Sequence, residues 1–241
     1  MTRLATKLAG AVACLALAAC AGGQSGRQRL PRGPLRDATF GSPGAIVAAE
    51  LAFNRLAREK GQWTAFRETA DKDAVMFVPQ PVDAREWLKG RENPPAPVSW
   101  QPYETWVSCD GTLGASKGAW QRPDGSVGYF TTVWRRQRSG EYRWVLDQGD
   151  DLAAPLPAPE MLAGQIAECP PGRGPADLRQ RDSEQKNPQV AMDGTGRSDD
   201  GTLEYTWQTA PDLSRTVTVR MRKGGELREV MRSSVAAPAG S

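Results

Sequence analysis

The sequence predicts an α+β fold, in which helices pack on a strongly bent antiparallel sheet and a smaller β-rich extension follows. Two observations predict it. Apolar residues recur at helical spacing over residues 43–60 and switch to period two from Pro97 onward. Gly-containing turns (Asp110-Gly111, Asp124-Gly125, Ser139-Gly140) then separate alternating runs, as hairpin connections do.

The elements follow in order. Residues 1–19 carry Arg3 and Lys7 and then an apolar run closing on Leu17-Ala18-Ala19-Cys20. The run is too short to span a membrane, and small residues before a cysteine read as a lipoprotein signal in which Cys20 takes the lipid. Residues 20–42, rich in Gly, Pro, Ser and Arg, read as a flexible tether. The folded domain is expected over 43–152. Ile46, Leu51, Phe53 and Leu56 mark a first helix that Gly61 stops. A second helix is expected from Gln62 to Ala70, a strand from Ala74 to Val78, and a small helix from Val82 to Gly90. Four antiparallel strands follow, at Trp100–Ser108, Thr112–Gln121, Val127–Gln137 and Tyr142–Gln148. Residues 153–200 read as a linker or loose segment, with a short helix at Met161–Glu168. Residues 201–234 read as a three-stranded β extension, which must pack on or extend the main sheet because three strands alone are marginal. Residues 235–241 read as a frayed tail.

Composition narrows the chemistry. The formal charge of +3 includes Arg3 and Lys7 of the signal, so the remainder does not call for nucleic acid. With no histidine, the Ser-His-Asp and Cys-His pairs and His-ligated zinc are excluded. No metal and no cofactor is expected. Of four cysteines, Cys14 leaves with the signal and Cys20 is lipidated, which leaves Cys109 and Cys169 for a disulfide in an oxidising compartment.

Residues 45 to about 150 resemble the nuclear transport factor 2-like superfamily, in particular its small bacterial branch related to SnoaL-like polyketide cyclases and ketosteroid isomerases. The resemblance rests on Ala49-Glu50-Leu51-Ala52-Phe53, Asp73-Ala74-Val75-Met76-Phe77, the strand Gly111 to Trp120, and above all Val133 to Gly149. It implies a cone, a bent sheet wrapped around the first helix with an apolar cavity at its open end. Catalytic members pair a carboxylate base with a Tyr or a protonated acid. The candidates here are Asp147 and Glu104 with Tyr129. Eight tryptophans suggest either core filling or an aromatic pocket, and Trp100, Trp106, Tyr129 and Trp134 are the candidate ligand contacts.

The resulting expectation is a lipid-anchored envelope protein, at the outer membrane facing the periplasm, that binds a small apolar ligand or an envelope partner without catalysis. One alternative is an isomerase, cyclase or dehydratase with a carboxylate-Tyr pocket. Another is a scaffold whose cone is filled. The expected partners are the membrane through Cys20, a small apolar ligand, and a second copy pairing through the sheet as a homodimer.

Overall fold

A computed structural model describes residues 40–170 and 192–238. The expected signal, Cys20, nearly all of the tether, residues 171–191 of the loose segment and the last residues of the tail lie outside the described residues. No helix of the described residues is long and apolar enough to cross a membrane.

Helix α1 (Pro43–Lys60) starts on a proline, whose missing N–H costs nothing in the first turn. Its buried stripe is Ile46, Glu50, Phe53, Asn54 and Ala57. Gly61 ends it at φ 95°, a conformation that disfavours side chains. Helix α2 (Gln62–Thr69) follows directly, then strands β1 (Ala70–Phe77) and β2 (Pro81–Asp83). Asp83 caps the short α3 (Ala84–Leu88), accepting from the Glu86 N–H at 3.0 Å. The meander is β3 (Ser99–Val107), β4 (Leu113–Gln121), β5 (Val127–Arg136) and β6 (Tyr142–Leu152).

These strands form a seven-stranded sheet in the order β2-β1-β6-β5-β4-β3-β7, with β7 at Ala163–Ile166. Pairing is antiparallel except for β1 on β6 and β7 on β3. Register shifts at Ala70/Val75, Pro102/Glu104 and Val133/Trp134 interrupt three ladders. Such bulges bend strands and sharpen the local twist. One face of the curved sheet packs on α1, and Phe53, Trp100, Phe130, Trp134 and Trp144 form a shared core with the helices. This is the α+β cone that the resemblance implies.

A second sheet, ordered β11-β10-β9-β8, covers the opposite face. Its strands are β8 (Asp193–Arg197), β9 (Leu203–Thr209), β10 (Arg215–Lys223) and β11 (Glu226–Val235). Trp106, Leu113, Val133 and Leu146 of the first sheet and Leu203, Tyr205, Trp207, Val219 and Met231 of the second share one core layer. Cys109 and Cys169 are disulfide-bonded, with Cα atoms 5.2 Å apart.

Several elements differ from expectation. The segment at Met161–Glu168 contains a strand rather than a helix. Gly164, between Pro159 and Pro170, is poor helix sequence, and the free edge of β3 offers a full parallel ladder instead. The loose segment thus contributes two strands, β7 and β8, and the extension has four strands rather than three. β8 hid behind its composition: Asp193-Gly194-Thr195-Gly196 looks like loop. Its glycines leave room for aromatic rings of β9, since a Cβ would fall 2.5 Å from Trp207 Nε1 at Gly194 and 2.3 Å from Tyr205 Cε1 at Gly196.

Candidate functional site

The polar centre of the cone is Glu50, fully buried in the middle of the α1 stripe. Three side chains donate to its carboxylate. Trp100 Nε1 donates to Oε2 at 3.0 Å, and Ser116 Oγ and Trp134 Nε1 donate to Oε1 at 2.5 and 3.0 Å. Burial pushes the Glu50 carboxyl above its ordinary range, and these donors pull it back. Thr132 follows on the same face of β5 and donates to Asp147 Oδ2 at 2.8 Å.

Asp147 is the second acid of the cone. Burial, with a further contribution from the Glu50 charge, raises its carboxyl from 3.8 to about 7. A raised carboxyl binds its proton more tightly in the folded chain than in the unfolded one. Its contribution to stability is therefore present in full below the ordinary value and is lost as pH rises through about 7. The shift corresponds to at most on the order of 4 kcal/mol. Stability of the wild type should fall between pH 5 and pH 8, and Asp147→Asn, which stays neutral, should flatten that slope. Urea midpoints at the two pH values check this, and an equal slope in the variant would refute it.

Aromatic rings pack the interior around these acids. Phe53, Phe66, Trp100, Trp134 and Trp144 occupy it in edge-to-face contacts with centroids 4.7–6.2 Å apart. The open space lies outside Trp100. A solvent-open groove of about 580 Å³ runs between the outer side of α1 and the β3–β4–β5 ends. Leu51, Asn54, Arg55 and Arg58 line it from α1, Trp100, Gln101, Tyr103 and Trp120 from the sheet, and Pro155-Leu156 from beyond β6. Asn54 Nδ2 donates to the Trp100 carbonyl, while Asn54 Oδ1 is buried without a hydrogen-bond partner. Trp120 is pinned by its Nε1 donating to the Tyr129 carbonyl at 2.9 Å, with Arg122 stacked 4.2 Å from its ring centroid.

The structure separates the residues that the sequence singled out. Trp100 and Trp134 meet at Glu50. Trp106 has the same parity as Trp100, yet the bulge between Pro102 and Glu104 turns it to the opposite face, between the sheets. Tyr129 also points to that side, its hydroxyl donating to the Ser234 carbonyl at 2.7 Å. Glu104 is exposed on β3. Asp147 lies inside the cone, so neither candidate acid meets Tyr129. Glu50 and Asn54 went unremarked as site residues. The signal for Glu50 was an acid spaced four residues after Ile46 and seven before Ala57, on a stripe whose other members are apolar or amide. Reading Leu51 into that stripe hid it; Leu51 is half exposed and lines the groove. Among the described residues, no cluster of acids and cysteines has the makings of a metal site.

No protein-family model matches the sequence, and no characterised protein matches it either. Solved structures similar in fold include a proposed ketosteroid isomerase from Parabacteroides distasonis, at 16% identity over 47% of this chain and 96% of that one, with a TM-score of 0.37. A proposed aromatic ring hydroxylase from Novosphingobium aromaticivorans is 15% identical over 52% of this chain and 95% of its own, TM-score 0.34. A nuclear transport factor 2-like protein of unknown function from Pseudomonas aeruginosa is 18% identical over 45% and 95%, TM-score 0.33.

Proposed function

We propose that this nuclear transport factor 2-like chain is a lipid-anchored envelope protein that acts by binding and not by turnover, with the α1–β3 groove as its binding surface. The contrast between a filled interior and an open groove carries the reading. Glu50 is buried behind Trp100 and occupied by indole and hydroxyl donors, Asp147 is held by the Thr132 hydroxyl, and neither acid lines the groove. The groove combines apolar and aromatic wall, from Leu51, Trp100, Trp120 and Leu156, with the polar side chains of Arg55, Arg58 and Gln101. A ligand with an apolar body and a hydrogen-bond-accepting or anionic head, which Arg55 and Arg58 can meet, matches that lining. The filled interior also favours a second reading, a scaffold that holds a partner without any small ligand.

The test is a thermal-shift screen with lipid-like and aromatic compounds, followed by native mass spectrometry of any hit. Leu51→Glu, on the exposed groove wall, should leave the unliganded melting temperature nearly unchanged and abolish the ligand-induced shift. A panel in which nothing binds would favour the scaffold. Anchoring is tested separately: Cys20→Ser should move the protein from the membrane fraction to the soluble one, and a variant that stays bound would remove the lipid from the reading.

A further inference from the structure

Two hexapeptides in this chain, Ser108-Cys109-Asp110-Gly111-Thr112-Leu113 and Ser198-Asp199-Asp200-Gly201-Thr202-Leu203, differ at one position. They fold alike, sharing the following bonds. In each, the serine hydroxyl donates to the aspartate Oδ1, at 2.6 and 2.7 Å. The threonine N–H donates to the same oxygen at 2.9 Å in both, and its hydroxyl does so at 2.8 Å in both. The leucine N–H donates to the serine Oγ at 3.2 and 3.0 Å. Gly111 and Gly201 sit at φ 68° and 71°.

The likeness extends into the strands on both sides. Val107 pairs with Gly114 ahead of the first turn, and Arg197 pairs with Glu204 ahead of the second. The threonine carbonyls accept from Arg136 N at 2.9 Å and from Arg222 N at 2.8 Å. The β5–β6 ladder shifts after Val133, leaving Val145 as the extra residue. The β10–β11 ladder shifts after Val219, leaving Val230. A turn, a strand order and a bulge therefore recur in register.

The two units also face each other through corresponding residues. Asp110 N donates to Asp200 Oδ2 at 2.9 Å, and Asp200 N returns a bond to Asp110 Oδ2 at 2.9 Å. Cys109 N donates to Thr202 Oγ1 at 2.9 Å, and Asp199 N donates to Thr112 Oγ1 at 3.0 Å. At corresponding places on β6 and β11, Gln148 Nε2 donates to Ser233 Oγ at 2.9 Å. Contact of like with like is the signature of a two-fold, self-complementary interface.

We propose that β8–β11 is a second, helix-free copy of the β3–β6 meander, and that the first sheet's outward face is a self-complementary surface whose partner, a second copy of the same meander, is supplied within one chain. The second copy needs no helices because its far face is polar, carrying Gln208, Arg220 and Arg232 in solvent. The surface that would join two chains is thereby filled in cis.

Sedimentation equilibrium of the full chain carrying Cys20→Ser tests this. The protein should run as one chain up to about 100 μM, because the pairing surface is already occupied. Trp207→Glu with Val219→Glu charges the inner face of the second copy and should unseat it, doubling the mass as two first sheets pair. Asp200→Ala breaks only the reciprocal turn bonds, leaves both apolar faces intact, and should give the same doubling at higher concentration. Near-UV circular dichroism from the Trp100, Trp134 and Trp144 cluster shows whether the cone survives in each variant. A wild type that is already two chains, or variants that stay single with the cone signal intact, would overturn the proposal. If both variants lose that signal, the wild-type mass decides.

Discussion

Glu50→Ala is expected to destabilise the cone by about 4 kcal/mol, the upper part of the range for emptying a core site. Two effects add. The substitution leaves a void in the α1 stripe, and it strands the buried indole N–H groups of Trp100 and Trp134 and the buried Ser116 hydroxyl. Glu50→Leu restores volume but no acceptor and should fall between alanine and wild type. Glu50→Gln keeps one oxygen for Ser116 and Trp134 but turns an amide N–H toward Trp100, for about 1–2 kcal/mol. Urea unfolding followed by tryptophan fluorescence gives the order. A leucine variant as stable as wild type would mean that the carboxyl is a net burden on the fold and is kept for another reason.

Reducing the disulfide comes next in size. Cys109 and Cys169 are 60 residues apart, and closing a loop of that length limits the unfolded chain by about 4 kcal/mol on the chain-entropy account. The bond has a local role too. Cys169 follows β7, whose neighbours Ala167 and Glu168 donate to the Val107 and Arg222 carbonyls at 2.9 and 3.0 Å, one on each sheet. Losing the bond frees the end of a strap between the two layers. Calorimetry with and without reductant should show a drop of roughly 10 °C, at about 2–4 °C per kcal/mol for a chain of this size. Proteolysis should concentrate between β6 and Cys169. An unchanged melting temperature would mean that the strap holds without its covalent end.

The helices, the first hairpins and the disulfide were legible because each has a local cause: helical spacing stopped by Gly61, Asp-Gly and Ser-Gly turns, and two cysteines left after the signal. β7 and β8 were not, since their reasons for being extended lie elsewhere in the chain. β7 exists because β3 has a free edge. β8 exists because Trp207 and Tyr205 lie over its glycines. The site misled for a related reason. Parity along β3 places Trp100 and Trp106 on one face, and a single extra residue at Tyr103 reverses the second of them. The repeated hexapeptide is open to view in the sequence. What it does became visible when the two turns stood against each other.

The placement of the tryptophans has a spectroscopic consequence. Seven of the eight belong to the helices and the first sheet, and Trp207 is the second sheet's own indole. It sits with its ring centroid 5.4 Å from that of Phe77, across the layer between the sheets. Its emission is therefore a built-in reporter of whether the two layers are seated, readable against a Trp207→Phe blank without attaching any dye.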